Sequence, residues 1–274
     1  MEGSDNTKLF ITDLDGTLLT YDKKISPETR SSLENFVSAG NRFAICTGRD
    51  INSARLVYKE LGFDFPGSYL IAYNGGQIYD VDKKETVYRL GIEVPVVKEI
   101  LKLAKEHNIH VHAYNDDNIL SPGQNECLAH YCITIKTPVI IAEDITLFMD
   151  KPTCKMICIE MHDHEKQERF RLALEERFGA ILTFLYSNPI YLEIIPKKSG
   201  KGNALLELSR LSGIPVERII AAGDEENDIS MIKAAGHGIA MKNATDNVKA
   251  AADIVTEDDN DHDGLAKYLR RFAD

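Results

Sequence analysis

The sequence is short of the features that mark secreted, membrane-bound or nucleic-acid-binding proteins. Its five cysteines are an odd number without metal-type pairing, which indicates free thiols in a reducing compartment rather than a disulfide framework. It has no apolar run near membrane-spanning length, and its acidic N-terminus is unlike a secretory signal. Acidic residues outnumber basic ones, and the formal net charge of −11 argues against unaided binding to nucleic acid or anionic lipid. We therefore expect a cytoplasmic protein with no membrane or nucleic-acid partner.

The 274 residues do contain the composition of an ordinary globular protein and two rhythms of secondary structure. From residue 8 to 73, and again from residue 191, apolar strands alternate with helix-period segments, which indicates parallel strands joined by helices. Residues 91–185 mix other strands and helices and predict an open sheet with its helices on one face. We predict an α/β fold with a doubly wound, mostly parallel, Rossmann-like core sheet interrupted by a smaller α+β domain. The predicted domains are residues 1–84 with 188–274, and the inserted residues 85–187.

Polar residues cluster where strands of the interrupted domain are predicted to end. The first cluster, Asp13 and Asp15 before a glycine, follows an apolar strand. Because successive strand side chains point to opposite faces, both carboxylates can project the same way. One can then attack a phosphorus atom while the other transfers protons. The other clusters are Thr47-Gly48-Arg49, Asn74-Gly75-Gly76, residues 197–202 and residues 223–228. Ligands of open α/β sheets bind at this edge.

Three aspartates in these clusters, Asp13, Asp224 and Asp228, form a ligand set of oxygen atoms alone. Such a set suits a hard cation such as Mg²⁺ and not zinc. The cation would neutralise the repulsion between a carboxylate and a phosphate, while Lys201 and the Thr47 hydroxyl bind the remaining phosphoryl oxygens. Most of these clusters alone have an ordinary structural interpretation as a cap, a turn or a solvated charge, but residues 223–228 place three polar side chains too closely after an apolar strand for a merely solvated face. Their joint occurrence at strand ends favours a site.

Two further polar segments have simpler interpretations. Residues 162–164 place two histidines around Asp163, but they lie at a strand-to-helix junction where Asp163 can serve as the N-cap. Residues 257–263 form an acidic segment that we expect to be a solvated connection. Cys154 and Cys158 are expected to be core residues.

With these motifs identified, the chain resembles the haloacid dehalogenase superfamily of phosphohydrolases, and within it the Cof-type branch that acts on sugar phosphates and similar small phosphates. The resemblance spans nearly the whole chain. Its motifs are Asp13-Leu14-Asp15-Gly16-Thr17, Thr47-Gly48-Arg49, Lys201-Gly202 and Gly223-Asp224-Glu225-Glu226-Asn227-Asp228. It implies that the inserted domain is the family's cap, which closes over the core.

The same resemblance implies roles for individual residues. Asp13 would be the nucleophile that forms a phosphoaspartate, and Asp15 would protonate the leaving oxygen and then activate water. The Asp13 carboxylate, the Asp15 backbone carbonyl and Asp224 would hold Mg²⁺, with Asp228 in support. The residues expected to bind substrate phosphate are Thr47, Gly48, Asn74, Lys201 and Asn227, with Lys198 as a weaker alternative to Lys201.

Three functions are compatible with these residues. The first is a Mg²⁺-dependent phosphatase that hydrolyses small phosphomonoesters such as sugar phosphates. The second is a phosphosugar mutase, which returns the phosphoryl group to a sugar instead of water. The third is a non-catalytic sensor of a phosphate ligand, against which the intact pair of Asp13 and Asp15 counts. The expected partner is a small phosphorylated metabolite, and the expected assembly is a monomer or weak homo-oligomer.

Overall fold

The computed structural model describes residues 6–273, and within them the chain forms fourteen strands and nine α-helices. The strands are β1 Leu9–Thr12, β2 Arg42–Cys46, β3 Tyr69–Ala72, β4 Gln77–Asp80, β5 Glu85–Arg89, β6 His110–Tyr114, β7 Ile119–Ser121, β8 Val139–Ile141, β9 Met156–Ile159, β10 Leu182–Asn188, β11 Tyr191–Pro196, β12 Ile219–Gly223, β13 His237–Ala240 and β14 Ile254–Val255. The helices are α1 Pro27–Ser38, α2 Ile51–Glu60, α3 Val94–Glu106, α4 Glu126–Thr134, α5 His164–Phe178, α6 Lys201–Ser212, α7 Ile229–Ala234, α8 Asp246–Ala251 and α9 Ala266–Ala273.

These elements form two compact units. The first comprises residues 6–50, 54–88 and 200–273, and the second comprises residues 51–53 and 89–199. The first unit is built on a sheet with strand order β14-β13-β12-β1-β2-β3-β4-β5, in which every pair from β14 to β3 is parallel. The second unit has a six-stranded sheet of order β10-β11-β9-β6-β7-β8.

Helices cover both faces of β1, which explains why all four of its residues are buried. On one face, the Phe10 ring packs edge-on against Phe36 of α1, with 6.2 Å between ring centroids. On the other face, Leu9 and Ile11 belong to a core that includes Leu205 of α6. This arrangement confirms the predicted α/β fold with a doubly wound, mostly parallel sheet.

Helix α1 begins at capping residues supplied by its own sequence. The Ser26 hydroxyl accepts a hydrogen bond from the backbone N–H of Thr29 at 3.2 Å, and Pro27 occupies the first helical position, where its missing N–H is not needed. Asp163 caps α5 in the same way by accepting from the N–H of Lys166 at 2.8 Å, which confirms its expected structural role.

The sheet of the second unit is covered on both faces, so the expectation of helices on one face is wrong. Val111 of β6 belongs to the core formed with α3 and α5. The alternate residues of β6 point the other way, and there His112 lies 4.8 Å from Tyr131 of α4, measured between ring centroids. The hydroxyls of Tyr114 and Tyr131 are 2.5 Å apart. Helix α4 therefore supplies a hydrogen-bond partner to a buried polar group on this face of the sheet.

Strand β11 was expected to belong to the interrupted domain, and the structure corrects this. It pairs antiparallel with β10 and with β9, inside the six-stranded sheet. A short apolar run looks the same in a buried parallel strand and in a central antiparallel strand, so its pattern does not reveal its neighbours. The second unit consequently extends to residue 199, beyond the predicted boundary at 187.

Two other sequence expectations concern membranes and cysteines. Among residues 6–273, no helix has both the length and the apolar character needed to cross a membrane. All five cysteines are free thiols, and Cys154 and Cys158 are buried as expected.

Candidate active site

Four of the five predicted polar clusters follow the parallel strands β1, β2, β3 and β12 of the first unit, whereas residues 197–202 follow β11 of the second unit. Asp13 directly follows β1, and its backbone N–H continues the ladder by donating to the Ala222 carbonyl of β12 at 3.0 Å. Thr47 directly follows β2 and donates its N–H to the Ile71 carbonyl of β3 at 2.8 Å. Because parallel strands end at one edge, residues distant in sequence are brought together there.

Asp13, Asp224 and Asp228 form a buried acidic cluster. One carboxylate oxygen from each lies within 4.8 Å of the others. Asp228 is held by the loop itself, since its Oδ2 accepts from the backbone N–H groups of Asp224 at 3.0 Å and Glu225 at 3.1 Å. Gly223 is required here, because an added Cβ would overlap the Asp228 side chain. The structure thus brings together the three carboxylates that the sequence predicted as metal ligands.

The charges in this cluster are incompletely balanced. Burial, followed by the neighbouring Asp228 and Asp15, raises the pKa of Asp13 to about 6, although Lys201 opposes the shift. Burial also raises the pKa of Asp224 to about 7; the nearby Asp13 adds to the shift, while the Thr17 hydrogen bond opposes it. Raised carboxyl pKa values show that negative charge is costly here. Buried, oxygen-only groups with excess negative charge fit a divalent cation.

Lys201 lies inside the same cluster. It is the first residue of α6 and is only 1% exposed. Its Nζ contacts Asp13 Oδ1 at 2.6 Å and Asp228 Oδ1 at 2.5 Å. Burial alone lowers the pKa of Lys201, but the two carboxylates outweigh it and hold the pKa above its ordinary value. The next residue, Gly202, must lack a side chain because an added Cβ would overlap the Ser230 carbonyl.

The side chain of Asp15 points away from this cluster towards two cations. Arg49 binds it with two parallel bonds, from Nε to Oδ2 at 2.9 Å and from a terminal nitrogen to Oδ1 at 2.7 Å. Lys23 Nζ donates to the same Oδ1 at 2.7 Å. Partial burial by itself would raise the pKa of Asp15, but the bonds to Arg49 and Lys23 lower it below its usual range. Asp15 is therefore held as a carboxylate.

The Gly16-Thr17 step links the first motif to the fourth. Gly16 has a φ of +84°, and an added Cβ would overlap Asp224 Oδ2. Only glycine adopts this conformation without strain while allowing so close an approach. The turn places the Thr17 hydroxyl against Asp224, where it donates to Oδ1 at 2.6 Å.

The residues predicted to bind phosphate fall into separate groups. Thr47 is buried, and its Oγ1 accepts from the backbone N–H of Arg49 at 3.2 Å. Gly48 packs against Asn74, whose Oδ1 accepts from Asn227 Nδ2 at 2.9 Å. Lys201 is in the acidic cluster, whereas the alternative Lys198 is exposed and belongs to the second unit. Phosphate binding by Thr47, Gly48, Asn74, Lys201 and Asn227 stays a prediction.

Several residues at this edge were not singled out from the sequence. Arg49 and Thr17 lie inside recognised motifs, and their place in those motifs is the signal that could have identified them. Lys23 gives no signal, because it reads as one of two adjacent solvated lysines. Asn243 donates from Nδ2 to the Gly16 carbonyl at 2.8 Å, a contact across 227 positions that no local pattern reveals.

Comparisons with known proteins agree with the motifs. The family model that matches residues 10–269 describes haloacid dehalogenase-like hydrolases. The chain is 32% identical over 287 residues to the 5-amino-6-(5-phospho-D-ribitylamino)uracil phosphatase YwtE of Bacillus subtilis, covering 96% of each protein. It is 30% identical over 273 residues to the pyridoxal phosphate phosphatase YbhA of Escherichia coli, covering 96% of this chain and 97% of that protein.

A solved structure supports the same relationship. The crystal structure of a haloacid dehalogenase-like hydrolase from Bacteroides thetaiotaomicron matches with a TM-score of 0.87 and 30% identity, covering 97% of this chain and 99% of that chain. These relatives confirm the expectation of a phosphoric monoester hydrolase. The chain therefore belongs to the haloacid dehalogenase-like hydrolases, as its four motifs indicated.

Proposed function

We propose that this protein is a Mg²⁺-dependent phosphatase that hydrolyses small phosphomonoesters, such as sugar phosphates, through a phosphoaspartate on Asp13. The observation that carries the proposal is the convergence of Asp13 with Asp224 and Asp228, which bring one carboxylate oxygen each to within 4.8 Å of the others. Relatives named for a phosphoribitylamino-uracil ester and for pyridoxal phosphate support a small phosphorylated metabolite as the substrate class. Within the same proposal, the first unit is the catalytic core and the inserted second unit is the cap.

Hydrolysis follows in two in-line displacements. In the first, an Asp13 carboxylate oxygen bonds to phosphorus, the ester P–O bond breaks, and Asp15 gives a proton to the leaving oxygen. In the second, Asp15 takes a proton from water, the water oxygen bonds to phosphorus, and phosphate leaves Asp13. The ionised Asp15 of this structure suits the second step. The first step needs a protonated Asp15. Binding of the ester must therefore weaken the contacts of Asp15 with Arg49 and Lys23.

The acidic cluster fits the proposed cation. The Asp13 and Asp224 carboxylates and the Asp15 backbone carbonyl would hold it, with Asp228 in support. When bound, Mg²⁺ neutralises the repulsion between the Asp13 carboxylate and the phosphate dianion. Lys201 keeps Asp13 aligned through its 2.6 Å contact.

The remaining predicted residues would bind the phosphoryl oxygens. The Thr47 hydroxyl, the Gly48 backbone N–H and the amides of Asn74 and Asn227 are hydrogen-bond donors near the same strand ends. Lys201 adds an ammonium group to this set. Preorganised donors of this kind stabilise charge that develops on the transferring phosphoryl group.

The experiment that tests this proposal measures phosphate release from p-nitrophenyl phosphate and a panel of sugar phosphates, with Mg²⁺ or with EDTA. Asp13→Asn should lower kcat by about a thousandfold or more, because loss of a nucleophile leaves only binding and electrostatic stabilisation. Asp22→Asn is the matched control, since Asp22 is an exposed carboxylate in the loop that follows Asp13. Equal activity of the Asp13 variant and wild type would refute the nucleophile.

Product analysis separates this proposal from its alternatives. With a hexose 1-phosphate, the phosphatase yields free sugar and inorganic phosphate. An isomerised ester would instead identify a mutase. Binding of the ester without any turnover in the presence of Mg²⁺ would identify a sensor.

A further inference from the structure

The segment between β1 and α1 carries much of the site without forming a helix or sheet of its own. We call residues 15–26 the active-site loop; it includes Asp15, Thr17 and Lys23. Local bonds such as Lys23 N–H to the Thr20 carbonyl, 2.9 Å, shape its tip. Holding a loop in one conformation costs about 1–2 kcal/mol per residue in backbone entropy. Contacts from elsewhere in the fold must therefore contribute to its order.

Two asparagines from the C-terminal part of the chain bracket the start of this loop. Asn243 Nδ2 donates to the Gly16 carbonyl at 2.8 Å, and Asn260 Nδ2 donates to the Leu19 carbonyl at 2.8 Å. The asparagines are also linked to each other, because the Asn260 backbone N–H donates to Asn243 Oδ1 at 3.3 Å. Residues 16–19 are thus held at both ends by one connected pair of side-chain amides. We call the hydrogen bonds of Asn243 and Asn260 to the Gly16 and Leu19 carbonyls the asparagine bracket.

Carboxylates next to Asn260 hold the remainder of the loop. Asp261 Oδ1 accepts from the backbone N–H of Tyr21 at 2.8 Å, and Asp263 Oδ1 accepts from the hydroxyl of Ser26, the N-cap of α1. Asn260 itself is only 5% exposed. The sequence expectation that residues 257–263 form a solvated connection is therefore wrong for Asn260, which is buried, whereas Asp261 and His262 are exposed as expected.

The bracket is continuous with the acidic cluster. Asn243 lies in the loop after β13, and in that loop the Thr245 backbone N–H donates to the Asp224 carbonyl at 3.1 Å. On the other side, Asn243 holds Gly16, whose turn directs the Thr17 hydroxyl to Asp224 Oδ1. Displacement of the Gly16 carbonyl would move Thr17 away from Asp224 and shift the adjacent Asp15.

We propose that Asn243 and Asn260 are positioning residues for the reaction, which act by holding the Gly16 and Leu19 carbonyls so that Asp15 and Thr17 keep their places. The catalytic part of this inference rests on the proposed function. The structural part does not, because the order of the loop can be measured without any turnover.

Asn243→Asp and Asn260→Asp test the bracket. Each keeps the side-chain shape but replaces the donating NH₂ with an oxygen facing a carbonyl oxygen. Hydrogen–deuterium exchange of the metal-free full chain should be at least about fivefold faster in peptides covering residues 15–26, because each variant loses one or two hydrogen bonds and places a carboxylate against a backbone carbonyl. Peptides covering β2 should exchange as in wild type. If either variant fails to fold, Asn243→Ser or Asn260→Ser removes the amide without adding charge and is subject to the same expectations.

Kinetics test the positioning role. With Mg²⁺ and p-nitrophenyl phosphate, both variants should lose roughly ten- to a hundredfold in kcat, since small displacements of reacting groups are costly, with KM changed less than kcat. The control is Asn41→Asp. Asn41 is also buried, but its Oδ1 accepts from the Lys8 N–H at 2.9 Å, and aspartate keeps that bond. This control should match wild type in both exchange and kcat.

Each outcome has a defined meaning. Wild-type exchange of residues 15–26 in both Asn→Asp variants would overturn the bracket whether or not the protein is a phosphatase. Faster exchange with unchanged kcat would overturn the positioning role. A wild-type protein that releases no phosphate but shows the faster exchange in its variants would refute the proposed function and the positioning role in catalysis, while retaining the structural contact.

Discussion

Replacing Lys201 with methionine should destabilise the metal-free protein and should do so in a pH-dependent way. The side chain is 1% exposed, and its ammonium is the cation between Asp13 and Asp228. Methionine has a similar length but no charge, so Lys201→Met leaves two buried carboxylates without that partner.

The size of the effect follows from the cost of an uncompensated buried charge. Removing one partner of a buried ion pair costs about 3–5 kcal/mol. The protein can limit this loss by protonating Asp13, whose pKa burial already raises to about 6. Taking up that proton at pH 7.5 costs about 2 kcal/mol at most, since each pH unit is worth about 1.4 kcal/mol. We therefore expect the free energy of unfolding to fall by about 3 kcal/mol at pH 7.5.

The loss should shrink to roughly half at pH 5.5, because protonation of Asp13 then becomes nearly free. Lys201 lowers the pKa of Asp13 in wild type, so its loss raises that pKa further. Over this pH range the folded variant therefore binds more protons than the folded wild type, and acid stabilises it relative to wild type. The ammonium of wild-type Lys201 stays charged at both pH values, since its pKa is held above the ordinary value.

Urea unfolding followed by circular dichroism, with EDTA present, measures both values. Lys23→Met is the matched control: the Lys23 side chain is 60% exposed, and its ion pair with Asp15 should contribute less than about 1 kcal/mol. A loss below about 1 kcal/mol for Lys201→Met at pH 7.5, or a loss that does not change with pH, would refute the reasoning.

Other predictions address the turn, the acidic cluster and the second unit. Gly16→Ala should lower the free energy of unfolding by about 1–3 kcal/mol, because the residue combines a positive φ with contact to Asp224; an unchanged urea midpoint would contradict this. In metal-free protein, the free energy of unfolding of wild type relative to Asp224→Asn should decrease as the pH rises from about 4 to about 7, because the pKa of Asp224 is raised to about 7. Mg²⁺ should reverse this decrease. Parallel pH profiles of the two proteins would count against the raised pKa. Glu193→Ala should cost about 3 kcal/mol by removing the carboxylate that lies 3.2 Å from the buried Lys155 ammonium, whereas Lys155→Met with Glu193→Gln should recover much of that loss in the same urea assay.

Much of the fold could be predicted from local features of the sequence. The start of α1 depends on Ser26 and Pro27, which act within one helical turn, and the alternation of strands and helices defines the parallel sheet. For strand β11, the sheet to which it was predicted to belong was wrong. For helix α4, the predicted side of the sheet was wrong. Their placement depends on which strands pair and which polar groups need partners, and neither is encoded in the element itself.

The same distinction between local sequence signals and tertiary contacts applies to the candidate site. The sequence determined by itself that Asp13 and Asp224 follow apolar strands, because a change from apolar to acidic residues is visible locally, and parallel topology then places both at one edge. Only the tertiary structure decided that Lys201 lies between Asp13 and Asp228, and that Asn243 and Asn260 contact the active-site loop. Such contacts join residues tens to hundreds of positions apart, and an isolated lysine or asparagine carries no mark of the group that it will meet once the chain has folded.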